Sequence, residues 1–176
     1  MIHPTAVIEP GAQIGAGTRI GAFAHIAACA VIGQNCIIDS HAVIGLDGFS
    51  WTRQTDGSLR FNPHERQVII GDEVSVGVHT VIDRGSWRDT RIGNGTRIDN
   101  HVHIGHNCLI GRDCLIVPGV VLGGSTIIGD RCFIGINATT RERISIGDDC
   151  TLGMGAVLLK SIGDGETWYG NPARKR

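Results

Sequence analysis

The chain has very few aromatic residues. Phenylalanine, tryptophan and tyrosine together make 5% of its 176 residues, which excludes a core built around rings. It also has almost no net charge, −1 from 16 basic and 17 acidic residues. Without a basic stripe it lacks the clustered Lys and Arg that phosphate backbones require, so nucleic acid is not expected as a partner. No apolar run approaches the ~18 residues of a membrane helix. The start, Met1-Ile2-His3-Pro4-Thr5-Ala6, has no basic segment followed by an apolar one. The expectation is a soluble, cytoplasmic protein with no membrane insertion. Helical spacings of three and four are scarce as well, as is the long strand alternation, broken by regularly spaced turns, that marks a sandwich.

Isoleucine at steps of six is abundant. Ile2, Ile8, Ile14, Ile20, Ile26, Ile32, Ile38 and Ile44 form an unbroken ladder, which resumes at Ile70, Val76 and Ile82 and again from Ile92 to Leu158, with only Thr140 out of type. Of these 23 rungs, 14 are followed directly by glycine, against about three or four expected by chance. The period fits a parallel β-helix, each short strand leading into a corner whose backbone angles favour glycine. Cys36, Cys108, Cys114, Cys132 and Cys150 each lie two residues before a rung, and Cys29 does not. Positions i and i−2 of a strand share a face, so these five are read as small, reduced core residues and not as disulfides or metal ligands.

This repeat, an aliphatic residue, then glycine, then four variable positions with a small residue two before each rung, resembles the left-handed β-helix of hexapeptide acyltransferases over nearly the whole chain. The resemblance implies an all-β fold, a left-handed parallel β-helix shaped as a triangular prism with three hexapeptides per coil, occupying 1–176 as one domain. At the interstrand spacing of ~4.8 Å the rod would be roughly 37 Å long. It further implies a homotrimer with active sites between neighbouring prisms. Two loop insertions, 46–68 and 83–91, interrupt the ladder, and a C-terminal tail covers 160–176. The first insertion holds Phe49, Trp51 and Phe61, which favours an ordered flap that folds over a neighbour or covers a ligand, against a self-packed surface loop. The second precedes a histidine-rich stretch by a coil or less, so Arg84 and Trp87 are substrate-side candidates.

From Gly45 to Gly111 the likeness narrows. Asp47-Gly48-Phe49, Val-Ile-Ile-Gly-Asp, Ile-Asp-Arg-Gly, Ile-Gly-Asn-Gly and Asp-Asn-x-x-x-Ile-x-His-Asn resemble the β-helical part of the lipid A pathway UDP-acylglucosamine N-acyltransferases. That family also carries an N-terminal uridine-binding domain and a C-terminal helical extension, and neither is expected here. The closing Gly170-Asn171-Pro172-Ala173 is similar to acetyl-CoA-dependent sugar acetyltransferases, including those that acetylate amino groups of nucleotide-linked deoxysugars. The resemblance therefore implies acetyl-CoA as acyl donor and a small-molecule sugar as acceptor, with a carrier-protein-dependent N-acyltransferase or a non-catalytic scaffold as alternatives.

The stretch Asp99 to Gly111 holds His101, His103 and His106. His106 occupies the place that matches the catalytic histidine of both resembling families, and a neutral imidazole with a pKa near ~6.5 suits removal of the acceptor's proton. One coil later, three hexapeptide steps on, stands Gly124, whose amide is expected to donate to the oxyanion of the tetrahedral intermediate. Asn107 and Asn100 either orient the imidazole, hold the sugar, or cap corners; His101 is a substrate-side candidate or an idle surface histidine. Gly135, Asn137, Gly153 and Met154 resemble the superfamily's pantetheine groove, with Asn171, Pro172 and Arg174 towards the nucleotide end. No metal is expected: in the γ-class carbonic anhydrases of this fold the ligand positions correspond to Asn100 and Gly105, neither of which suits zinc.

Overall fold

The computed structural model describes residues 1–176. The short strands fall into three parallel sheets of eight, seven and nine strands, with one small antiparallel hairpin beside them. Consecutive strands belong to different sheets and every third strand pairs, so Ile8, Ile26, Ile44, Ile82, Ile104, Leu122, Thr140 and Leu158 stack on the first face. Ile14, Ile32, Ile70, Ile92, Ile110, Ile128 and Ile146 stack on the second. The third begins with Ile20 and Ile38 and ends at Trp168 and the antiparallel return Arg174–Lys175. The result is the expected left-handed prism of about nine coils. Three edges join the faces: the first edge runs from first to second face, the second edge from second to third, and the third edge from third back to first.

The rungs point inward because alternate side chains of a strand oppose one another. From Ile20 to Leu158 every rung is buried, and the five cysteines two residues before a rung are 0–1% exposed. Thr140 does not interrupt the column. Its hydroxyl is 3.0 Å from that of Thr126 and accepts the Gly123 N–H at 3.1 Å, so a polar rung is tolerated because its hydrogen bonds are made inside.

The glycines after the rungs have a different cause from the one the repeat suggests. The left-handed corner residue stands three after a rung, not one, and is often not glycine: His41, His79, His101, Asn107, Ser125 and Asn137 all have φ between 55° and 64°. Glycine at the first position is required by stacking. A Cβ on Gly135 would lie 2.6 Å from the Met154 nitrogen of the next coil, and one on Gly105 would lie 2.9 Å from the Gly124 nitrogen.

Both insertions leave the prism from the first edge on successive coils, after Ile44 and after Ile82. The first is ordered: Trp51–Arg53 pairs antiparallel with Leu59–Phe61, the Trp51 and Phe61 rings are 5.1 Å apart, and Phe49 and Leu59 stay exposed. Its return segment folds back onto the edge and buries His64.

Candidate active site

The coil above the two insertions turns its first-edge corner at Gly105-His106-Asn107-Cys108, so the loops and His106 converge. Asn107 organises this junction. It is fully buried, and its Oδ1 accepts the Ser86 N–H at 2.8 Å and the Trp87 N–H at 3.3 Å. That fixes the amide, whose Nδ2 donates to Ser86 Oγ at 2.9 Å and to His106 Nδ1 at 2.7 Å. The Arg88 Nε donates to the Asn107 carbonyl at 2.8 Å. Of the roles the sequence left open, Asn107 therefore orients the imidazole and pins the second loop; its burial excludes contact with a sugar.

With Nδ1 accepting from Asn107, the neutral His106 ring carries its proton on Nε2. Burial, then the neighbouring His64 and Arg143, pushes the His106 pKa below the ordinary histidine value, Glu142 opposing them. The His64 ring stands edge-on to His106 with centroids 5.0 Å apart. Its Nδ1 lies 3.2 Å from both the Gly48 N–H and the Arg84 carbonyl, while its Nε2 is buried without a partner. Asp83 is also buried, its Oδ2 3.6 Å from His103 Nε2. Desolvation raises the Asp83 pKa, with His103 and His64 pulling the other way. Gly48 is small because a Cβ there would lie 2.7 Å from that carboxylate.

Gly124 sits where the step of one full coil puts it. An added Cβ would be 2.8 Å from both Cε1 and Nε2 of the imidazole, and the Gly124 N–H makes no backbone hydrogen bond. At the second edge the equivalent N–H groups are capped by the coil above, Arg112 by Asp130 Oδ1 and Asp130 by Asp148 Oδ1, both at 2.8 Å. Glu142 stands in the capping place above Gly124 and leaves its amide uncapped.

Asn100 and His101 lie on the third edge, not beside His106. Residues five or six apart occupy successive corners, so closeness in sequence separates them in space. Asn100 Oδ1 caps the Val78 N–H at 2.7 Å, the corner-capping role. His101 closes an exposed stack in which Phe23, His41, His79 and His101 follow one another at 4.8–5.3 Å. Arg84 is tied down by its Nε to the Arg66 carbonyl at 2.8 Å and by Asp47 at 4.0 Å, which makes it a brace between the two loops. Trp87 is 61% exposed.

The residues expected to hold the donor also lie on or next to the third edge. Asn137, Met154, Asn171 and Pro172 are exposed there, and Arg174 is exposed on the returning strand. Gly135 and Gly153 are not offered to a ligand: both are buried, Gly135 under the next coil and Gly153 under the Tyr169 ring. They are glycines for packing. Within one chain the residues expected to hold the donor and His106 are thus on different edges. The sequence reading missed His64, Asp83, Arg88 and Arg143, all of which flank the imidazole or its loop. Counting the rungs in threes would have found Asp83 and Arg143, since Ile82, Ile104, Leu122 and Thr140 then share a face; His64 and Arg88 lie on the inserted loops, which the repeat does not place.

Comparison with known proteins agrees with this architecture. The family described as "Bacterial transferase hexapeptide (six repeats)" matches residues 11–46 and 89–124, and "Hexapeptide repeat of succinyl-transferase" matches 125–160. A UDP-3-O-acylglucosamine N-acyltransferase of Aromatoleum aromaticum is 50% identical over 54 residues, 31% of this chain and 16% of that protein. A UDP-N-acetylglucosamine O-acyltransferase from Moraxella catarrhalis is 27% identical in structural alignment with a TM-score of 0.72, covering 99% of this chain and 73% of the other. An Acinetobacter baumannii structure of the same type, with a TM-score of 0.87 at 24% identity over 99% of this chain and 73% of the other, shares the fold. The stretch matched in the curated relative is thus about a sixth of that protein's length.

Proposed function

Because the chain belongs to the bacterial hexapeptide-repeat transferases, we propose that it is an acyltransferase carrying an acetyl group from coenzyme A to an amino or hydroxyl group of a nucleotide-linked sugar. The observation that carries this reading is the pairing of His106 with the uncapped Gly124 amide one coil above. His106 takes the proton from the attacking nitrogen or oxygen while the new bond forms to the thioester carbonyl. The carbonyl electrons move to oxygen, and the Gly124 N–H donates to that oxyanion. Collapse breaks the C–S bond, and the imidazolium returns the proton to the leaving thiolate.

To accept at Nε2 the ring must shift its proton to Nδ1 and forgo the bond from Asn107. Leaving a buried donor unsatisfied costs about 1–3 kcal/mol. A general base contributes on the order of 10²–10⁴ in rate, about 3–5 kcal/mol, so the exchange reduces the gain without cancelling it. The low His106 pKa keeps the ring neutral at pH 7, in the form that accepts.

The separation of Asn137, Met154, Asn171, Pro172 and Arg174 from His106 supports a homotrimer. In that assembly the third edge of one prism would face the first edge of the next, so donor and base would meet between subunits. A second reading, a carrier-protein-dependent N-acyltransferase, is favoured by the local match to the UDP-3-O-acylglucosamine N-acyltransferase. Thiol release measured over a panel of acetyl-CoA, longer acyl-CoAs and acyl carrier protein thioesters, with UDP-, GDP- and dTDP-amino sugars as acceptors, separates the two. Turnover confined to carrier-protein thioesters would remove the coenzyme A reading, and no turnover with any donor would remove both.

A further inference from the structure

Beside His106, on the second-face side of the first edge, is an open pocket of about 310 Å³ whose lining includes Trp87, Arg88, Ser125, Arg143 and Ser145. Two guanidinium groups face it and no carboxylate lines it, in a chain whose net charge is −1. The nearest acid on the loop, Asp89, is engaged by Arg91 at 2.6 Å. Like charges left facing one cavity are held at an electrostatic cost that an anion removes, and the planar fork of arginine suits phosphate oxygens.

Arg88 is already fixed for such a task. Its Nε is bonded to the Asn107 carbonyl and its Nη2 lies 3.4 Å from the Ser125 carbonyl, so Nη1 is left for a ligand. The guanidinium also lies over the Trp87 ring, 4.7 Å from the centroid. Arg143 makes no hydrogen bond or ion pair through its side chain, and it adjoins the site through its backbone N–H to the Gly124 carbonyl at 3.0 Å. Trp87 is 61% exposed on a loop that exists only because the repeat is interrupted. The other two tryptophans are committed, Trp168 to the core and to Glu166, Trp51 to Phe61.

We infer that this pocket binds the nucleoside diphosphate of the acceptor, the phosphates between Arg88 and Arg143 and the base against the free part of the Trp87 indole. The inference rests on the acyl-transfer reading for which end of the ligand faces His106. Ser125 lines the pocket and is bonded through its N–H to the His106 carbonyl at 2.8 Å, so the pocket adjoins the corner that carries the imidazole. A pocket at the same corner as the base suits a nucleotide sugar, in which a single ring separates diphosphate from the acylated group. Coenzyme A places its diphosphate a whole pantetheine arm from its sulfur and does not match.

The test is equilibrium binding, by calorimetry and tryptophan fluorescence, of UDP, GDP, dTDP, inorganic pyrophosphate and coenzyme A to the intact protein. At least one nucleoside diphosphate should bind and quench Trp87. Arg143→Ala should weaken that nucleotide and pyrophosphate at least tenfold, with Arg143→Lys recovering part of the loss. Trp87→Ala should weaken the nucleotide at least fivefold while leaving pyrophosphate within twofold. Coenzyme A affinity should be unchanged in both variants. Nucleotide binding within twofold of the parent in Arg143→Ala overturns the proposal, as does loss confined to coenzyme A, which would assign the pocket to the donor. Arg143 is an exposed, unpartnered side chain, so a folding defect does not obscure the result. No turnover is involved, so failure here leaves the acyl-transfer reading to its own experiment.

Discussion

Gly124→Ala is the most revealing small perturbation of the site. The glycine does not have a positive φ, so alanine adopts its backbone without strain and the amide stays where it is. The added Cβ, however, would stand 2.8 Å from Cε1 and Nε2 of His106. Ordinary carbon contacts begin at about 3.5 Å, so the ring must withdraw by roughly 0.7 Å or more. It is held by the 2.7 Å bond from Asn107, which that movement stretches or breaks at a cost of about 1 kcal/mol. A misplacement near 1 Å of a reacting group costs about a hundredfold in rate. Steady-state thioester turnover should therefore fall roughly 30- to 300-fold, mostly in kcat. The melting temperature should fall by no more than about 4 °C, because a loss of about 1 kcal/mol moves the midpoint of a chain of this size by roughly 2–4 °C. Turnover above half the parental value would refute the placement of a working imidazole against this glycine.

Asn107→Asp keeps one oxygen for the Ser86 and Trp87 amides and offers the other to a protonated Nδ1, so His106 should bind protons at higher pH and the acidic limb of kcat/KM should move upward. An unmoved limb in an active Asn107→Asp protein would contradict the assigned hydrogen bond. For the parent, the depressed His106 pKa has a defined sign. The unfolded chain binds the proton more readily, so stability should fall as pH drops below about 6.5, the unperturbed value, and the acidic limb of kcat/KM, which follows the folded protein, should lie below that value; a limb above it would be inconsistent with a desolvated ring. Native-state thiol titration should show Cys29, which is half-buried, reacting first. Cys108, fully buried with its thiol pushed up to about 12, should react only on unfolding. Fast modification of all six thiols in the native protein would mean that the coils open readily.

The prism was legible in the sequence because a period of six is imposed by the core itself. Each coil needs one aliphatic rung per face, and Ile26, Ile44 and Ile104 announce it by spacing alone. The stacking of Gly124 on His106 was legible for the same reason, since three hexapeptides close one coil. Two kinds of feature were not. The role of glycine after the rungs was misassigned, because the close approach of the next coil is a contact between residues a whole coil apart that spacing does not display. Closeness along the chain also groups Asn100 and His101 with His106, whereas within one chain they lie on the third edge, because position around the prism depends on the rung count modulo three. His64 reaches His106 through a loop whose path no periodicity encodes.

The measurement closest to the central claim is transfer of labelled acetyl from acetyl-CoA to an amino-sugar nucleotide by the His106→Ala protein, read beside its melting curve. The account predicts a loss of at least a hundredfold with melting unchanged. Transfer at the parental rate would contradict it.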